Sequence, residues 1–184
     1  MFNLKENNNI KKSDITIIGF FKYWIIPVIS ALIIASLIKK MIFFNIVLPP
    51  SGSMIPTLND YDRALVSIIY NMENTKRGSI IVFYSQELDE LLVKRLIGLP
   101  GDKIEIKDGI VFVNGDQLEE DYVKNIYDYD GKFEVPEGKY FFLGDNRPHS
   151  NDSRFWKNPY IENRDIKGKV QFRFYPLKDF GWIN

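Results

Sequence analysis

The sequence predicts a mainly β protein, an antiparallel β-sheet domain carried behind one apolar N-terminal helix, and three observations point there. Short runs rich in Val, Ile, Phe and Tyr recur after residue 60: RALVSIIY, GSIIVFY, LLVKRLIGL, GKYFFLGD and KGKVQFRFYP. The pairs Asp108-Gly109 and Asn114-Gly115 punctuate the alternating stretch KIEIKDGIVFVNG, so Lys103 to Gln117 should form a hairpin with a second turn at its end. The third observation is ITIIGFFKYWIIPVISALIIASLI, Ile15 to Ile38, in which Lys22 is the only charge.

That apolar run reads as a transmembrane helix. Its uncharged part, Tyr23 to Ile38, rises about 24 Å against a hydrocarbon core of about 30 Å, so the helix must recruit residues at an end. Lys22 can snorkel and admit Phe20 and Phe21, or the helix continues through Met41 to Phe44 with Lys39 and Lys40 reaching for headgroups. Tyr23 and Trp24 suit the interface. A removed signal peptide would need a small-residue cleavage site directly after the run, where Lys39 and Lys40 stand instead. Lys5, Lys11, Lys12 and Lys22 lie before or at the start of the span and Lys39 and Lys40 after it, which places the N-terminus on the cytoplasmic side. The expected organisation is a cytoplasmic segment 1–14, an anchor region 15–44 and an extracytoplasmic β-rich domain 45–184.

Next comes LPPSGSMIPTLND, Leu48 to Asp60, with two serines about a glycine. Its prolines forbid a helix and make it a loop. No long helical periodicity follows Phe44, and Asp116 to Val135 is expected to be the most polar and least ordered stretch. Composition excludes much chemistry. With Lys+Arg 24 and Asp+Glu 24 the net charge is zero, which gives no sign of nucleic acid. There is no Cys, hence no disulfide or thiolate, and the single His149 leaves no multi-histidine zinc site.

If one of the two serines is a nucleophile, it needs a base. His149 with Asp145 or Asp152 would make a triad, although a loop histidine is more often simply solvated. Lys94 lies inside the apolar run LLVKRLIGL, where a free ammonium is costly unless paired or neutral. Arg95 points to the opposite face. One of the two should therefore point inward, and only lysine can readily lose its proton there.

PSGSMIPTL, YDRALV, VKRLIGLPGD and GDNRPHSNDSRFW, in this order behind one span, resemble the conserved boxes of type I signal peptidases. The resemblance runs from the anchor to the terminal KGKVQFRFYPLKDFGWI, and the length is similar to that of the compact Gram-positive enzymes. It implies the β-sheet catalytic domain of that family, no cofactor, and a Ser-Lys endopeptidase that cleaves signal peptides from secreted preproteins at the outer face of the membrane. Its partners would be those preproteins, the lipid bilayer and the export translocon. By the resemblance Ser53 matches the nucleophile and Lys94 the general base. The Ser53 N–H and the Ser51 hydroxyl match the oxyanion hole, and Ser150 a serine that orients the lysine. Asp145, Arg95, Asp152 and Arg154 match ion-paired residues that support the site, and Gly144 and Asn146 belong to the same box.

There are departures. Lys157 follows Trp156 where many relatives have Gly, and Pro49 stands where an aliphatic residue is frequent. A subgroup of the family uses a histidine base, but it replaces the lysine that is present here. Val47 to Gly52 and Leu91 to Val93 should offer backbone edges to an extended substrate, with Pro49 and Val93 as pocket walls that admit small side chains at −1 and −3, an A-x-A pattern. Two other classes share parts of this pattern: a self-cleaving repressor-type Ser-Lys protease, which would need a DNA-binding segment in place of the anchor, and a non-enzymatic membrane-tethered β domain.

Overall fold

The computed structural model describes residues 19–69 and 71–183, with the backbone alone for 38–41. The expected 1–14 segment and the start of the apolar run, 15–18, lie outside the described residues. The chain divides into two compact units, one ending at Ile42 and the other beginning at Phe43.

In the first unit a π-helical stretch, Phe21–Ile25, leads into α1, Ile26–Ile42. Pro27 explains the change of winding. It has no N–H to give, and its ring crowds the carbonyl four residues back. The helix widens, and the Ile26 N–H reaches Phe21 O, five residues away. No helix among the described residues is long and apolar enough to cross a membrane. The 17 residues of α1 rise about 26 Å. Nor does the helix extend to Phe44. It ends at Ile42, and Phe43 and Phe44 instead pair with Ser67 and Val66 in a sheet.

The second unit contains β1 (Phe43–Val47), β2 (Arg63–Ile68), β3 (Ile80–Ser85), β4 (Glu90–Gly98), β5 (Lys103–Lys107) and β6 (Ile110–Val113). It continues with β7 (Asp116–Gln117), β8 (Gly131–Glu134), β9 (Lys139–Leu143), β10 (Tyr160–Glu162), β11 (Ile166–Tyr175) and β12 (Gly181–Trp182). The larger sheet runs β1-β2-β11-β3-β4-β9-β10 with β12 beside β11, and the smaller runs β7-β6-β5-β8. Every described pairing is antiparallel. The expected hairpin is β5–β6, with Asp108 at φ 49° and Gly109 at φ 77°, the two positive angles its turn requires. The short strands β1, β10 and β12 had no alternation to betray them, and β8 alternates over only four residues.

Central strand β3 shows why the larger sheet is stable. Ile80 and Val82 join one core with Leu48, Met54, Leu58 and Val93. Ile81 and Phe83 join another with Leu96, Phe142 and Trp156. Both faces of the sheet are therefore covered. A third core, around Ile97, Ile104, Val111 and Phe141, joins the two sheets. The expectation that one of Lys94 and Arg95 points inward needs correction, because both are buried, at 3% and 2% exposure. They lie on opposite faces of β4, and each face is covered.

Candidate active site

Local chemistry shapes the serine loop first. The Leu48 N–H donates to Asp62 O and the Tyr61 N–H to Leu48 O, which closes the loop between β1 and β2. Gly52 sits at φ +63°, a left-handed conformation that glycine adopts without cost, and its N–H donates to Asp60 Oδ1 at 2.9 Å. Ser53 follows, 4% exposed, above the buried side chains of Met54 and Leu58.

Lys94 reaches Ser53 from β4. It stands opposite Ile81 in the β3–β4 ladder, with Leu92 and Leu96 beside it on the same face. Its Nζ lies 2.6 Å from Ser53 Oγ, and both residues are buried. Burial pushes the Lys94 ammonium down to about 8, against the attraction of Asp152, Glu90 and Asp145, while Arg154 helps to lower it. Ser51 Oγ stands 3.2 Å from Ser53 Oγ and accepts a long 3.5 Å bond from the Ser53 N–H.

Two buried ion pairs flank the Ser53–Lys94 contact. Arg95 grips Asp145 through Nε to Oδ1 at 2.8 Å and Nη2 to Oδ2 at 2.6 Å, a two-pronged pair that fixes both planes. Thr57 Oγ1, from the serine loop, donates to the same Asp145 at 2.5 Å. Arg95 Nη1 donates to Gly78 O, and the guanidinium lies 3.8 Å from the Tyr122 ring centroid. Arg154 holds Asp152 in the same way at 2.8 and 2.9 Å, and Asp152 Oδ2 also accepts the Gly144 N–H. The Arg154 guanidinium sits 4.9 Å from the Phe155 ring and 5.5 Å from that of Tyr127.

With this geometry in hand, the comparisons decide the family. The model of signal peptidase, peptidase S26, matches residues 21–175. The chain belongs to the type I signal peptidases. A signal peptidase I of Leptolyngbya laminosa is 41% identical over 142 residues, covering 72% of this chain and 69% of that protein. Signal peptidase IB of Staphylococcus aureus is 37% identical over 177 residues, covering 85% of this chain and 91% of the relative. A crystal structure of a signal peptidase I from Enterococcus faecalis is 34% identical, spans 54% of this chain and 98% of that one, and has a TM-score of 0.48. As a member of the family, the chain is a signal-peptide-cleaving serine peptidase.

The remaining residues singled out in the sequence fall around the Ser53–Lys94 pair in different ways. Ser150 is buried, but its hydroxyl has no hydrogen-bond partner, so it makes no bond to Lys94 here. A Cβ at Gly144 would collide with Ser150 Oγ and with the Ser53 carbonyl, so only glycine lets the GDNR loop come this close. His149 is exposed, and Ser53 Oγ is engaged by Lys94 and Ser51. Pro49 and Val93 both line a small cleft of about 130 Å³ that also takes in Leu48, Ser53, Met54 and Lys94. Strand β9 pairs with β4 only from Arg95 onward, so on that side Leu91 to Val93 has no strand partner among the described residues. The other expected edge, Val47 to Gly52, is partly occupied: Leu48 pairs with Asp62 and Tyr61, and the Pro49 carbonyl accepts the Ser51 N–H.

Sequence reasoning missed four residues that hold the site together. Thr57 ties the serine loop to Asp145. Tyr122 donates to Glu120 at 2.7 Å, and Glu120 accepts Arg147 Nη2 at 2.5 Å, while Arg147 Nε donates to Gly144 O. Burial, reinforced by Glu120, pushes the Tyr122 phenol up and keeps it a donor. The stretch expected to be least ordered therefore anchors two buried guanidiniums. The available signal was the aromatic residues Tyr122, Tyr127 and Tyr129 set among carboxylates in this stretch. Among the described residues no group of His, Cys, Asp or Glu is arranged to hold a metal ion.

Proposed function

We propose that this signal peptidase is a membrane-anchored Ser-Lys endopeptidase that cuts exported preproteins after small residues. The observation that carries the reading is the 2.6 Å contact between two buried groups, Lys94 Nζ and Ser53 Oγ. With its pKa near 8, Lys94 is neutral in about one molecule in ten at pH 7, against about one in a few thousand for an unperturbed lysine. The neutral amine takes the Ser53 hydroxyl proton as Oγ attacks the scissile carbonyl. The developing oxyanion is received by the Ser53 N–H and the Ser51 hydroxyl. The ammonium returns its proton to the leaving amine, and water activated by the same amine releases the acyl-enzyme.

Substrate adds as an extended strand along Leu91 to Val93, so alternate side chains point into the cleft. Pro49 and Val93 limit the −1 and −3 pockets to small groups. Ser150 assists by steadying the Lys94 amine when the substrate is bound, and the Arg95–Asp145 and Arg154–Asp152 pairs hold the loops that carry the site. The apolar run from Ile15 to Ile38, with Lys22 its only charge, anchors the chain in the bilayer. The excess of lysines before it keeps the N-terminus cytoplasmic and the β domain outside, next to the export translocon. Purified full-length protein in detergent, given a model preprotein, should release a product whose N-terminus lies just after an A-x-A site. Ser53→Ala and Lys94→Ala should release none. A cut elsewhere, or an active Ser53→Ala, would sink the proposal.

A further inference from the structure

The GDNR loop does more than approach the serine. Asn146 Nδ2 donates to Gly52 O at 2.9 Å, and the Asn146 backbone N–H donates to Ser53 O at 3.0 Å. These two carbonyls belong to the two peptide units that flank the Ser53 Cα, so one residue holds both. The first unit is the important one. A trans peptide is planar, with its C=O and N–H pointing in opposite directions. Whatever fixes Gly52 O therefore aims the Ser53 N–H. From the other side, Asp60 holds the Gly52 N–H at 2.9 Å, so the unit before is fixed as well. Left-handed Gly52 would otherwise be the most freely rotating point in the loop. The Asn146 amide is not there to satisfy itself, because its Oδ1 is buried without a partner.

We propose that Asn146 is a positioning residue for the oxyanion hole: by gripping the Gly52 carbonyl it keeps the Ser53 N–H aimed where the transition-state oxygen develops. Asn146 acts through that N–H and needs no contact with the substrate. The inference rests on the Ser53-Lys94 reading given above. It explains why the resting Ser53 N–H, with only a 3.5 Å bond to Ser51 Oγ, keeps its direction without a strong partner of its own. The donor is aimed from behind rather than held from in front.

The test uses the full-length protein in detergent with Asn146→Ala and Asn146→Asp, the latter keeping the shape while losing the donor. Both should lower kcat about 10- to 100-fold, the scale of a misdirected oxyanion donor, with KM within about twofold. The midpoint of the Asn146→Ala pH-rate profile should stay that of the parent, because Lys94 is not the group disturbed. A peptide aldehyde, to whose carbonyl carbon Ser53 Oγ adds while the hydroxyl proton passes to Lys94, should lose affinity by the same factor as kcat/KM. Parent-like kcat in both variants would overturn the inference, as would a rate loss that moves the pH midpoint or leaves aldehyde affinity unchanged. Ser53→Ala and Lys94→Ala run alongside separate the two failures. If either cleaves, the dyad reading falls; if both are dead and the Asn146 variants are fully active, only the role of Asn146 does.

Discussion

The pH dependence of kcat/KM follows directly from the buried lysine. Only the neutral amine can take the serine proton, so the rate should track the fraction of Lys94 that is deprotonated. With the group near 8, that fraction is about 1% at pH 6, about 9% at pH 7 and about 91% at pH 9. The rate should therefore rise about tenfold from pH 7 to pH 9 and flatten above it. An unshifted lysine would give about a hundredfold rise over the same span and no plateau. Asp152 attracts the charged form of Lys94 and Arg154 repels it. Asp152→Asn should therefore move the midpoint to lower pH, and Arg154→Met to higher pH. The assay is the initial rate on a fluorogenic A-x-A peptide far below KM, with full-length protein in detergent between pH 6 and 10. A profile that still climbs at unit slope beyond pH 9.5 would refute the argument. So would a midpoint near 6.5 that His149→Ala abolishes.

The same shift has a thermodynamic side. Lys94 in the folded protein lies below its unfolded value of about 10.4, so folding carries a penalty that is full below pH 8 and fades as pH rises toward 10.4. Lys94→Met should be inactive yet more stable, by about 3 kcal/mol at pH 7 and about 1 kcal/mol at pH 9.5; thermal melts at the two pH values would show the gap narrowing, and a widening gap contradicts the sign. Lys94→Arg should be dead despite keeping its charge, because guanidinium does not deprotonate in this range, and measurable cleavage by it would remove lysine as the base. Ser150→Ala should slow turnover without lowering the melting temperature, whereas Asp152→Ala strands a buried Arg154 and should cost about 3–5 kcal/mol; equal melting of both would mean the Asp152–Arg154 pair is no brace. Phe at −1 of a model preprotein should block cleavage and Phe at −2 should be tolerated; efficient cutting after Phe would dismiss the cleft as the −1 pocket.

What the sequence made legible has a physical pattern. A lysine in an apolar strand is an anomaly of one residue against its immediate neighbours, so Lys94 could be read locally, and so could the Asp108-Gly109 turn, whose chemistry lies in two adjacent residues. Which loops meet is not local. Tyr122 against Arg95, Thr57 on Asp145 and Asn146 on Gly52 each join segments far apart in the chain, and no spacing rule connects them. The burial of Arg95 was missed because alternation along β4 says which faces exist, not whether both are covered. The break at Pro27 could have been read, since proline removes a helical hydrogen bond wherever it falls in an apolar run.

The bonds that hold the serine loop also set when the enzyme comes into being. Thr57 waits for Asp145, 88 residues later, and Gly52 waits for Asn146, 94 residues later. Closing loops of that size costs more chain entropy than forming local hairpins such as β5–β6. A chain that ends before Gly144 already contains Ser53 and Lys94, yet it lacks Asp145, Asn146, Asp152 and Arg154. On the proposed reading, proteolytic power therefore arrives only once the segment from Gly144 onward has been made, and a copy stopped before it carries Ser53 and Lys94 without the means to cut anything.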